Sequence, residues 1–390
     1  MLKVIKNSVV VGRESIENKD IVLNEAGCIE SFNEVKTEYG TEIEVIDAKG
    51  NYAFPGMIDL LTHGFGKHLY LDCEEDAFIN NSKALLKHGV TGYYPSITSM
   101  PLNKHLETLT QLSQLKTGVG ARMLGLHSEG PCFGAAGAHD PENLVLPSAA
   151  LAKDLIKAGE GLLKIVTLSP ELEGAAEFCK LLKDNGVAVH FGHSKAPIDL
   201  IPKISAMGID AVTHMFDVIF PVAADIPGVY PVSMADALIA EKDLCLGIIC
   251  DGVHTTPTQI KLLTQLPLDR VFLETDSMKF TGLPPGKFEL YPGYEVTTTE
   301  GKGAWSGTAL SGSTLTSDIA LRNFINYSGA DLVRASHASS LNPARLVGLD
   351  DELGSLEIGK KADIILLDKD DLSVMATIIG GQKLYAHENF

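Results

Sequence analysis

Histidine and acidic residues stand at the ends of short apolar, β-branched runs along much of this chain. His63 closes one run, His127 and Glu129 a second, His190 and His193 a third, and His214 a fourth. Asp251 and His254 follow another run, and Asp276 another. Six of the 12 histidines sit at such ends, where chance would scatter them over helices and loops. Imidazole nitrogen and carboxylate oxygen are the ligands of a catalytic divalent ion, and three protein ligands leave a position open for water. Glu129, His193 and His214 supply such a set.

Side chains far apart in sequence meet only if the runs that carry them end at one place. Eight candidate strands (56–63, 91–97, 122–128, 163–168, 188–193, 211–215, 246–251 and 270–275) alternate with amphipathic stretches such as 75–87 and 170–184. Alternation of buried strands with helices is the pattern of a parallel sheet. A closed (β/α)₈ barrel over 52–349 would gather all eight C-terminal strand ends at one mouth, with a doubly wound open sheet as the alternative. Residues 1–51 and 350–390 carry strand-like pieces and no helical period. Paired with each other, they would make a small β-sandwich.

Fifty acidic against 32 basic residues give a net charge of −18, which disfavours nucleic acid and anionic lipid and favours a small molecule. No stretch reaches the ~18 apolar residues of a membrane span, and the first residues lack a signal-peptide pattern. The expected compartment is the cytoplasm. The six cysteines are scattered, with no pair at metal-binding spacing.

Nearly the whole chain resembles the N-acetylglucosamine-6-phosphate deacetylase family of the amidohydrolase superfamily. The matching segments are Phe54-Pro-Gly-Met-Ile-Asp59, Gly125-Leu-His-Ser-Glu-Gly-Pro131, Gly137-Ala-His-Asp-Pro141, Gly192-His-Ser194, Thr213-His214, Asp251-Gly-Val-His254, Thr275-Asp276 and Leu310-Ser-Gly-Ser313. Asn342-Pro-Ala-Arg345 and Gly359-Lys-Lys-Ala-Asp363 mark the superfamily more broadly. The resemblance implies that Glu129, His193 and His214 bind a metal, that Asp276 is the acid/base and that His139 hydrogen-bonds the scissile carbonyl. Amide cleavage at neutral pH fits that set, because a divalent ion lowers the pKa of water from 15.7 to about 7. Zinc is the first expectation, with iron, cobalt or manganese accepting the same ligands. The implied substrate is an N-acetylated amino sugar phosphate, and the implied assembly a homodimer.

Two departures from the family pattern bear on this. Many amidohydrolases end the first strand with His-x-His and hold a second metal; here the place reads Leu61-Thr62-His63. One ion is therefore expected, with His63 a substrate contact or a weak ligand. After the strand-six histidine the family usually reads Asn-Ala-Met, and an arginine from the neighbouring subunit helps grip the phosphate. This chain has Asp217-Val218-Ile219 and Asp225 at those places. Either the substrate is an unphosphorylated or cationic N-acyl compound, or the loop is re-routed and His254, with a lysine such as Lys195, holds the phosphate. A catalytically silent scaffold is the reading outside enzymes, and intact Glu129, His193, His214 and Asp276 argue against it.

Overall fold

A computed structural model describes residues 3–34, 39–40, 42–115, 118–219, 226–291 and 293–390. Eight parallel strands form the centre: β1 (Met57–Thr62), β2 (Val90–Ile97), β3 (Leu126–Glu129), β4 (Leu163–Leu168), β5 (Ala188–Phe191), β6 (Ala211–Val212), β7 (Cys245–Ile249) and β8 (Val271–Glu274). Each pairs with the next in sequence order. The seam between β8 and β1 is closed by the Thr62–Ser277 bridge and by Asp276 N–H donating to Leu61 O at 2.8 Å and His63 N–H to Ser277 O at 2.8 Å. The expected (β/α)₈ barrel is what the chain forms. Every residue of β1 and β2 is buried, as strands covered on both faces require.

Several strands end earlier than their apolar runs suggest. The expected 211–215 run is paired only at Ala211–Val212, and the expected 122–128 run divides into Arg122–Met123 and Leu126–Glu129. The chain leaves the ladder at residues with positive φ: His193 at 50°, His214 at 35° and Asp276 at 51°. Side chains rarely adopt this region, and such strain persists where the surroundings enforce it, often at functional sites.

The chain ends meet in a second sheet. Its strand order is Gln382–Ala386, Val374–Ile379, Ile364–Leu367, Tyr52–Pro55, Lys3–Val11, Ile16–Leu23 and Ile29–Asn33, with Glu44–Asp47 also beside Lys3–Val11. Along Ile364–Leu367 the side chains alternate between two cores. Ile365 and Leu367 join the barrel core, while Ile364 and Leu366 pack with Ile5, Ile21 and Ile378 in the small β domain. One strand thereby fastens both ends of the chain to the barrel.

A third sheet had no counterpart in the sequence reading. Lys287–Tyr291, Tyr294–Thr298, Gly303–Ser306 and Ala309–Ser313 form four antiparallel strands after β8. The Ser277–Ser313 bridge fixes them to the barrel mouth. Among the described residues no helix is long and apolar enough to cross a membrane.

Candidate metal centre

The Glu129 carboxylate is the hub of the site. His193 Nε2 lies 3.5 Å and His214 Nε2 3.1 Å from its Oε1, and the two imidazole nitrogens are 3.1 Å apart. Bonds of about 2.0–2.1 Å to one tetrahedral ion would hold ligand atoms about 3.3 Å from each other. The observed triangle has that size. All three residues are buried, at 2–4% exposure. His139, His193 and Glu129 also present atoms within 4.8 Å of one another, so His139 competes for the third ligand place.

Hydrogen bonds separate the two histidines by tautomer. His193 Nδ1–H donates to Ala135 O at 3.2 Å, which leaves a lone pair on Nε2 facing the hub. His139 Nδ1 instead accepts from Ser99 N–H at 3.1 Å, which puts the proton on Nε2, 3.3 Å from Glu129 Oε2. His193 is therefore disposed to ligate and His139 to donate. Gly137 keeps room for this arrangement, since a Cβ there would stand 2.9 Å from the His193 ring.

On the other side of the hub, His63 Nδ1–H donates to Ser96 O at 3.0 Å, and its Nε2 stands 3.3 Å from Glu129 Oε2 and 3.1 Å from Asp276 Oδ1. Burial alone would lower its pKa, but hydrogen bonds to Asp276 and Glu129 outweigh that and raise it to about 10. His214 is likewise raised to about 10, burial being overcome by Glu129. Burial opposes ionisation of Glu129, yet His139, His193, His214 and His63 hold its pKa well below the usual carboxylate range. A compact anionic hub ringed by imidazoles is a chemically suitable seat for a divalent cation.

These groups open into a cavity of about 890 Å³ at the barrel mouth, lined by His63, Glu129, His139, His193, His214, Asp217, Val218 and Asp276 among others. Three of the six strand-end histidines are not in its lining. His127 and His190 lie deeper in the barrel, where His127 Nε2 accepts from Thr167 Oγ1 at 2.8 Å and Thr167 continues to Thr213 at 2.9 Å. Burial lowers the His127 pKa to about 4, so it is a neutral core residue. His254 is not among the lining residues, and Asp251 Oδ2 takes its Nδ1–H at 2.9 Å. Its Nε2 is buried without a hydrogen-bond partner among the described residues, and Asp217 and Asp276 of the cavity act on its charge. Asp225 lies outside the described residues.

The missed sheet supplies a wall of the cavity through Leu290, Tyr291, Tyr294, Trp305 and Leu310. Lys104, at the start of the helix Leu102–Gln114, is the one lysine or arginine lining it among the described residues. Lys195, the lysine the sequence offered, does not line it. Alternating Phe288, Leu290, Val296 and Thr298 around Gly293 was the available sign of the sheet.

Residues 52–384 match the sequence model of the Amidohydrolase family. N-acetylglucosamine-6-phosphate deacetylase of Bos taurus is 32% identical over 352 residues, covering 88% of this chain and 85% of that protein. N-acetylgalactosamine-6-phosphate deacetylase of Escherichia coli O157:H7 is 32% identical over 344 residues, covering 87% of this chain and 89% of that protein. The crystal structure of N-acetylglucosamine-6-phosphate deacetylase from Pasteurella multocida shares the fold with a TM-score of 0.87 at 23% identity, covering 99% of this chain and 100% of that one.

Proposed function

Because the chain belongs to the amidohydrolase family, and within it to the N-acetylglucosamine-6-phosphate deacetylases, we propose that it hydrolyses the N-acetyl group of an amino sugar phosphate. The observation that carries the reading is the convergence of Glu129, His193 and His214 on one point, with His139 and Asp276 facing the same cavity.

In this reading Glu129, His193 and His214 hold one divalent ion, zinc before iron, cobalt or manganese. The ion supplies Lewis acidity and a hydroxide-strength nucleophile at neutral pH. Asp276, 7% exposed and bordering the cavity, takes the proton of the attacking water at its carboxylate and passes it to the departing amine. His63 Nε2, 3.1 Å from Asp276 Oδ1, keeps that carboxylate aimed. His139 Nε2–H donates to the scissile carbonyl and more strongly to the oxyanion that develops from it. His63 alone at the end of β1 supports one ion rather than two.

A second reading rests on the cavity's charges. Asp217 lines it beside Val218, and Asp72 and Asp140 border it, against Lys104 as the one lysine or arginine among the described residues. That balance suits an unphosphorylated or cationic N-acyl substrate. We also propose a homodimer, following the family resemblance, and a cytoplasmic enzyme, for which six unpaired cysteines are the supporting observation.

The test is a deacetylation assay of purified, metal-loaded protein against paired phosphorylated and unphosphorylated N-acetylhexosamines, alongside elemental analysis. One ion per chain is expected, and His193→Ala should remove it with turnover. Two ions per chain, the second needing His63, would overturn the mononuclear reading. No turnover of any N-acetylhexosamine by the loaded protein would overturn the deacetylase reading.

A further inference from the structure

His214 leaves the barrel ladder in an unusual way. Thr213 N–H donates to Phe191 O at 2.9 Å in β5, and Met215 N–H to Gly247 O at 2.7 Å in β7. Between them His214, with φ at 35°, turns its N–H to the carboxylate of Glu274, where Oε1 accepts at 2.5 Å. Both residues are buried, at 2% and 1% exposure. Glu274 stands on β8 and Gly247 on β7, beside the path its side chain takes to the end of β6. A Cβ at Gly247 would lie 2.5 Å from Glu274 Oε1, so the missing side chain there is what makes the crossing possible.

The second carboxylate oxygen, Oε2, has no hydrogen-bond partner among the described residues. A buried carboxyl with one oxygen unsatisfied is costly, and an apolar residue would be the ordinary occupant of an interior position on a barrel strand. What Glu274 does with its other oxygen is hold one backbone N–H. That N–H belongs to the residue whose Nε2 completes the triangle with Glu129 and His193.

We propose that Glu274 is a positioning residue for the metal centre, holding the left-handed backbone of His214 so that its imidazole meets Glu129 and His193. It touches neither substrate nor reacting atoms. Partners that orient a metal ligand typically contribute about 10–100-fold to metal affinity, and that is the size expected here. The inference rests on the reading of His214 as a metal ligand.

Three substitutions separate reach from acidity. Glu274→Gln keeps an acceptor oxygen at the same distance, Glu274→Asp keeps the acid but withdraws it by one methylene, and Glu274→Val removes both. The readout is the zinc dissociation constant of the full chain, measured by chelator competition, with the rise in Tm that zinc produces over the metal-free form of each variant. Glu274→Gln should bind zinc within about threefold of wild type. Glu274→Asp and Glu274→Val should bind it about 10–100-fold more weakly, with a smaller rise in Tm. Should Glu274→Val fail to fold, Gln against Asp still decides. Wild-type affinity in Glu274→Asp, or equal weakening in all three, would overturn the proposal. His214→Ala run in parallel keeps the two readings distinct: if it retains zinc, the ligand assignment fails, whereas if it loses zinc and Glu274→Asp does not, only the positioning role fails.

Discussion

Two histidines a few ångströms apart receive different chemistry from one backbone group each. Ala135 O takes the Nδ1 proton of His193 and frees its Nε2, while Ser99 N–H occupies Nδ1 of His139 and forces the proton onto its Nε2. His139→Ala should therefore leave the ion bound and lower kcat more than it raises KM, because the donor is worth more to the oxyanion than to the carbonyl. Loss of one such donor costs about 10²–10³ in kcat. A change confined to KM would reassign His139 to substrate positioning. Asp276→Asn should also keep the ion and lower kcat by about 10²–10⁴, since an amide cannot accept the proton. Near-normal kcat at neutral pH in that variant would move the proton transfer to another residue. Both roles follow from the family resemblance, and spacing in the sequence would not have distinguished His139 from a ligand.

At the scale of elements, what was legible followed burial. Most of β1 to β8 are largely apolar runs because both faces are covered, and such runs announce themselves, β3 (Leu-His-Ser-Glu) being the exception. The ends at Ile97 and Leu168 were legible to the residue, whereas those before His193 and His214 were not, because the positive φ there is set by tertiary contacts such as the one from Glu274. For the same reason the His127 and His190 side chains read as cavity groups although they hydrogen-bond within the barrel interior. The sheet from Lys287 to Ser313 was missed because its strands are short and half exposed, so alternation is weak. Helix contacts carry a testable consequence of their own. Asp318, in the first turn of the helix Ser317–Ser328, meets His88 at 2.9 Å, Arg322 at 2.9 Å and the Thr316 hydroxyl at 2.6 Å. Burial raises its pKa, but His88 and then Arg322 outweigh burial and leave it below the usual carboxylate value. A depressed folded pKa contributes stability above the unfolded value of about 3.9 and loses it as pH falls through the folded one. Asp318→Asn should then cost about 1.5–3 kcal/mol at pH 7. The gap from wild type should narrow below about pH 4, as read by Tm at both pH values. A gap that is constant with pH would mean that the ion pair contributes nothing.

For the molecule as a whole, charge is the property that bears most on which substrate is turned over. The chain carries −18, and its cavity meets solvent with Asp72, Asp140 and Asp217 against Lys104. A phosphate monoester brings about −1.5 to −2 at pH 7, so its approach is opposed both at long range and at the cavity. Two unit charges 4 Å apart interact by about 4 kcal/mol at an effective dielectric of 20, and a half-exposed Asp217 would feel only part of that. Even about 1.4 kcal/mol is a tenfold change in rate. Asp217→Asn with Asp225→Arg should raise kcat/KM for a 6-phosphorylated N-acetylhexosamine by about tenfold or more, and leave the unphosphorylated sugar within a few-fold. Salt gives the sign check: it screens repulsion over about 10 Å at 0.1 M, so wild-type kcat/KM for the phosphate should rise with salt while the advantage of the double variant shrinks. If Asp225 acts across a dimer, dilution below the dimer's dissociation constant should erase the part of the gain that Asp225→Arg brings and spare the part from Asp217→Asn. Efficient wild-type turnover of the phosphorylated sugar, indifferent to both substitutions and to salt, would place these aspartates away from the phosphate. Lys104, the one lysine or arginine on the wall among the described residues, would then meet the anion, and Lys104→Ala should raise KM for the phosphorylated sugar alone.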